Sequence, residues 1–106
     1  MRIFRVVVRG HFHDLTVEQR DALLAAADDH EIFKARYTRE GSLTYEPNLV
    51  AFSFRYELRV SDDDADQPEH WATETAMEKA TAALGAMGIG FRHLRATTTD
   101  MASVWE

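Results

Sequence analysis

Residues Leu49 to Val60, LVAFSFRYELRV, decide how the chain is read. Val50, Phe52, Phe54, Tyr56, Leu58 and Val60 fall on one parity, and Ala51, Ser53, Arg55, Glu57 and Arg59 on the other. This is the period of two of a strand with one buried face. A slip of one residue would carry the charged side chains into the core, so the alternation fixes the register.

Working outward, Arg2 to Phe12 repeats the pattern, with Phe4, Val6 and Val8 inward and Ile3, Arg5, Val7, Arg9 and His11 outward. Thr16 and Gln19 have the spacing of a capping box, which opens a helix running to about His30. Leu23, Leu24, Ala26 and Ala27 are its sheet-facing side. Ile32 to Thr38 reads as a strand, Arg39-Glu40-Gly41 as a turn, and Ser42 to Glu46 as the returning strand of a hairpin. Beyond Val60 the polar run Ser61 to Pro68 is a solvated loop. Pro68 then starts a second helix that Gly88 closes after Met87. Phe91 to about Thr98 is the last strand, with Leu94 and Ala96 inward and His93, Arg95 and Thr97 outward. The tail from Asp100 has the makings of one capped turn, with Met101, Val104 and Trp105 docking on apolar surface.

The element order β-α-β-β-β-α-β, with two helices crossing between strands, predicts a single α+β domain over residues 1–106. Its arrangement is the ferredoxin-like split β-α-β: an antiparallel sheet of four to five strands with two helices on one face. A chain of 106 residues is a single domain of marginal stability, often helped by a partner subunit. The absence of cysteine excludes a disulfide framework, a thiolate nucleophile and a Cys-based zinc site. The opening residues alternate charge with hydrophobe instead of forming a signal-peptide core, and no apolar stretch is long enough to span a bilayer, so a cytoplasmic protein is expected.

The formal charge of −6 disfavours general affinity for nucleic acid or anionic membrane, but the charges are unevenly distributed. Parity points Arg5, Arg9, Lys34, Arg36, Arg55, Arg59 and Arg95 away from the helices, while most acids lie on the helices and in the loop at Asp62, Asp63, Asp64 and Asp66. The expected molecule has an acidic back and a basic open sheet face. A solvated face with Glu57 paired to neighbouring arginines accounts for part of this. Binding of single-stranded nucleic acid would require outward aromatic residues on the central or final strand, and there are none.

The remaining readings are a homodimer joined through its open sheet faces, with a small-molecule pocket in each subunit, and a non-catalytic module that binds a small anion or a protein. The pocket signal is a contrast between aromatic residues, Phe33, Tyr37, Phe52, Phe54 and Tyr56, and alanine-rich helices at Ala76, Ala80, Ala83 and Ala86. Such residues can also interdigitate and fill the core completely. Candidate chemistry falls on His93 and Asp100 as proton carriers. Arg36, Arg55 and Arg95, with Tyr37 and Tyr56, are candidates for holding an anionic ligand. His11, His13 and His93 could converge on an ion, but H-x-H is a weak signal without a third ligand fixed by spacing. The aspartate loop lacks the glycine and distal glutamate of an EF-hand. No metal and no cofactor is therefore assigned.

The segments FRVVVRGHF, LTVEQRDALLAAADDH, FKARYTREGSLTYEPNLVAFSFRYELR and FRHLRATTTDMASVW resemble a small family of bacterial proteins known only as a domain of unknown function. That resemblance covers nearly the whole chain and transfers no catalytic residue. In architecture the chain is similar to dimeric α+β barrel proteins, which include polyketide cyclases, small monooxygenases and heme-handling proteins. The likeness implies a homodimer acting on an anionic or polyphenolic metabolite, by cofactor-independent cyclisation, isomerisation or oxygenation if it is an enzyme.

Overall fold

The computed structural model describes residues 1–31, 35–61 and 66–104. The aspartate loop at 62–65, residues 32–34 of the expected hairpin with the directions of Phe33 and Lys34, and the docking of Trp105 lie outside them. Strands β1 (Arg2–Phe12), β2 (Ser42–Tyr45), β3 (Ala51–Val60) and β4 (Phe91–Asp100) form one antiparallel sheet in the order β2-β3-β1-β4. Helix α1 (Val17–Ala25) joins β1 to β2, and α2 (Pro68–Met87) joins β3 to β4. Because every neighbouring pair is antiparallel, β1 and β2 run the same way with β3 between them, and β3 and β4 run the same way with β1 between them.

The alternation in β3 sets the layering. Phe52, Phe54, Tyr56, Leu58 and Val60 are all buried, and β1 pairs with β3 in an unbroken register from Arg2↔Val60 to His11↔Ala51. Phe4, Val6, Val8 and Phe12 therefore enter the same core. A one-residue slip would expose these side chains at about 1.5–3 kcal/mol each. Val50 has the inward parity but precedes the strand and is exposed.

Both helices cover this face. Along α2, Ala72, Ala76, Ala80 and Leu84 recur every four residues and are fully buried. Three of the four end at Cβ, so the helix can sit low on the aromatic layer. Thr73 on α2 and Thr98 on β4 share a hydroxyl hydrogen bond of 2.6 Å. Pro68 begins α2, and Gly88, with φ +68°, ends it. The predicted capping box of α1 forms in both directions, and Gln19 Nε2 also donates to the Gly88 carbonyl at 2.7 Å, tying one helix start to the other helix end. The first helix stops at Ala25 and continues as a 3₁₀ turn, Ala27–His30. Leu23 and Ala27 are buried, but Leu24, expected to cover the sheet, is 47% exposed.

The hairpin expected between Ile32–Thr38 and Ser42–Glu46 is corrected over its described part. Residues 35–37 are not strand, and Thr38 makes one isolated parallel bridge to Tyr56, where its carbonyl accepts the Glu57 N–H at 2.8 Å. The cause is the length of β2, whose pairing with β3 ends at Ser42↔Arg55 and leaves that donor to be satisfied. Gly41, with φ +96°, makes the intervening turn and lies against the Tyr56 ring, where a Cβ would come within 2.3 Å of a ring carbon.

Candidate functional site

One face of the sheet carries the helices, and the other carries Arg5, Arg9, Arg55, Arg59 and Arg95, as strand parity predicts. The paired registers arrange that open face in rows. Arg5 and Glu57 are opposite one another, with Thr99 beyond. Ser42, Arg55, Val7 and Thr97 form the next row, followed by Thr44, Ser53, Arg9 and Arg95. His11, Ala51 and Arg92 form the last.

The cations of the first two rows are engaged. Arg5 Nε lies 3.3 Å from Glu57 Oε1, and Arg59 lies 3.9 Å from the other carboxylate oxygen. Arg55 donates to the Ala35 carbonyl at 3.4 Å. The guanidinium groups of Arg5 and Arg55 stand 4.7 and 5.5 Å from the centre of the Tyr37 ring. Residues 35–37 therefore form a strap over this end of the open face, held by cation–π contact. Tyr37, expected inward beside Tyr56, is on the opposite side of the sheet from it; the arginines draw its ring out.

The row of Arg9 and Arg95 is different. Two arginines sit directly opposite one another across β1 and β4, and neither has a carboxylate partner among the described residues. Like charges in that position oppose pairing. Immediately beyond them the register shifts between Arg9 and His11, because β4 contains an extra residue. His93 sits in this bulge with φ +59°, a left-handed conformation that costs a non-glycine residue about 1–2 kcal/mol. Its imidazole meets that of His11 edge to face, with ring centroids 5.4 Å apart. Gly10 lies opposite the bulge, where a Cβ would come within 2.7 Å of Phe52 and 3.0 Å of Leu94. Glycine there lets the core close beneath the histidines.

These groups line one side of a groove of about 930 Å3 that continues across the sheet to the loop after β2. Thr44 and Ser53, whose hydroxyls are hydrogen-bonded at 2.7 Å, lie in its middle. Pro47, Val50 and Ala51 give it an apolar wall, and Asp28, Glu31 and Glu46 stand at the far side. Leu49, within that loop, is a second non-glycine residue at positive φ, +55°. Two of the three non-glycine residues at positive φ thus flank one groove, the third being Asp14, and strained positions of this kind collect at binding sites. The groove's polar lining, Arg9, His11, Thr44, Ser53 and Arg95, stands on the far side of the sheet from the alanine stripe, and core residues Ala27, Tyr45 and Phe52 border it; none of the stripe's alanines does.

Of the sequence candidates, His11, His93 and Arg95 line the groove, with Phe52 of the aromatic set. Arg55 and Tyr37 belong to the strap, and Arg36 beside them is exposed. Tyr56 is fully buried on the helix side, its hydroxyl lacks a partner among the described residues, and burial pushes its pKa up to about 12. Asp100 is on the inward parity at the other end of β4, roughly 23 Å from His93 at about 3.3 Å per residue. Its carboxylate accepts from Arg2 and from the Ala102 N–H at 2.9 Å, and these bonds hold its pKa below the usual carboxylate range. The structure does not bring the two proton-carrier candidates together. His13 sits beside Asp14 at 3.1 Å, and no group of three ligating side chains among the described residues is placed to hold a metal ion. Arg9, Ser53, Thr44 and Glu46 were not singled out as site residues by sequence; only the cross-strand registers align the first three, and Glu46 follows β2 at the groove's far side.

The chain belongs to the family of unknown function DUF6204, whose pattern matches residues 1–105. No curated protein and no solved structure matches it. No helix among the described residues is long and apolar enough to cross a membrane.

Proposed function

We propose that this member of a family of unknown function binds a small organic anion in the groove on its open sheet face. The observation that carries the proposal is the pair Arg9 and Arg95, opposed across two strands without a carboxylate. A fold gains nothing from that juxtaposition, whereas a bidentate acceptor such as a carboxylate or phosphate would neutralise both cations. His11 and His93 add two further donors, and the volume is in the range of small-ligand sites. The surrounding architecture we read as ferredoxin-like, on the strand order and the two interleaved parallel pairs. On the same reading, two copies meet through their open faces, so that each groove gains a roof.

If the ligand is also a substrate, His93 is the group beside Arg95 that can move a proton, while the arginines hold charge developing on an enolate or carboxylate. Cofactor-independent cyclisation, isomerisation or oxygenation of an anionic or polyphenolic metabolite fits such a site. The alternative is a binding module without turnover.

Titration with a panel of aryl and alkyl carboxylates tests the anion site. Replacing Arg9 and Arg95 by alanine is expected to weaken binding at least about tenfold, the loss of roughly one charge-assisted contact, with folding retained. Arg59→Ala, on the same face but beside Glu57, should change little. Equal affinity in the Arg9/Arg95 double variant removes the proposal. Native mass spectrometry of protein taken directly from cells would then identify a retained ligand, and its conversion on incubation would separate enzyme from binder.

A further inference from the structure

We infer, resting on the anion site above, that the ligand is bipolar: an elongated molecule with an anionic group at one end and an ammonium or comparable cation at the other. The groove runs across strands, so its composition changes from column to column. On β4 and β1 stand Arg95 and Arg9; on β3 and β2, in the same row, stand Ser53 and Thr44. Beyond β2 the lining turns acidic, with exposed Glu46 just past the strand and exposed Glu31 after the 3₁₀ turn. Neither glutamate has a basic partner among the described residues. Cations and carboxylates thus face the same space from opposite sides without forming an ion pair across it.

From the midpoint of Arg9 and Arg95 to the β2 column is two and a half strand spacings, roughly 12 Å. Side chains reaching inward from both sides shorten the distance a ligand must span to about 8–10 Å. A plain carboxylate occupies only the arginine end and leaves the glutamates facing each other's charge. A molecule with ammonium and carboxylate that far apart satisfies both ends, rests its chain on Val50 and Ala51, and offers any central polar group to the Thr44 and Ser53 hydroxyls. An ω-amino acid, a short peptide with free termini or a polyamine conjugate of an organic acid belongs to this class.

The test uses 8-aminooctanoate, octanoate and octylamine with the full chain, followed by amide chemical shifts up to millimolar ligand. The expected result is that 8-aminooctanoate binds about fivefold tighter than octanoate, the factor one partly exposed ion pair supplies. Its shifts should spread from Arg9 and Arg95 to Glu46. Glu46→Gln should abolish that preference, whereas Arg95→Ala should weaken both carboxylates. If octanoate binds at the arginines as tightly as 8-aminooctanoate, or if Glu46→Gln leaves the ratio unchanged, the bipolar ligand is overturned and the anion site stands. If neither carboxylate perturbs Arg9 or Arg95, both fail.

Discussion

Tyr56 is the residue whose environment has the plainest physical consequence. Its ring is stacked on Phe54 and covered by Gly41, and its hydroxyl is buried without a partner among the described residues. Desolvation disfavours the phenolate, so the folded pKa is raised from 10.0 to about 12. The unfolded chain therefore loses this proton first as pH rises. The corresponding stability is intact below pH 10 and is lost between about pH 10 and 12, on the order of 2 kcal/mol. Tyr56→Phe should be neutral or stabilising by up to about 1 kcal/mol at pH 7, because it removes an unsatisfied group, and should flatten that alkaline limb. Urea midpoints at pH 7 and pH 11 check both parts; a clear loss of stability at pH 7 would mean the hydroxyl is satisfied. Asp100 works in the opposite direction. Its pKa is depressed by Arg2 and the Ala102 N–H, so its contribution is present above the ordinary carboxylate range and fades as pH falls. Parity alone told that Tyr56 faces the helices, whereas Asp100, expected in a tail turn, is the last residue of β4. Parity could not tell that Tyr37 is held on the other face, because its partners Arg5 and Arg55 lie on different strands.

At the level of elements, β4 is where the fold carries strain next to the groove. An extra residue between Arg92 and Arg95 tilts the strand, and His93 takes the left-handed conformation this requires. His93→Gly should therefore raise stability by up to about 1 kcal/mol, since glycine adopts that conformation freely and only its greater unfolded-state freedom offsets the gain. The same variant should bind carboxylates more weakly. Thermal unfolding beside a carboxylate titration measures the two effects; a destabilised protein would show that the imidazole, packed on His11, is worth more to the fold than the strain costs. The limits of α2 were legible from Pro68 and Gly88, and the start of α1 from Thr16 and Gln19, because caps act through neighbours in the chain. The bulge was not legible, since one additional residue in β4 has meaning only against β1. The conformation of residues 35–38 was not legible for a similar reason: the backbone at Thr38 is satisfied by Glu57, on another strand.

For the whole molecule, the proposed dimer is the matter that a single measurement decides. Ile3 and Val7 are half-buried on the open face in the isolated chain, and a domain of this size gains stability from any partner that covers them. Light scattering at micromolar concentration should give twice 12.1 kDa. Val7→Glu should return a folded chain of 12.1 kDa by placing a charge at the centre of that contact. A native chain that is already monomeric removes the dimer without touching the groove. The sequence by itself determined that β1, β3 and β4 are strands and where α2 begins and ends, which side of those three strands is buried, and that the arginines share the other side, because alternation and capping are set by neighbours in the chain. Only the tertiary structure decided that Arg95, Arg9, Ser53 and Thr44 form one row, that the strap covers one end of the face, and that the groove opens at the other. Those outcomes depend on the register between strands as distant as β1 and β4, which is set by how the whole core closes.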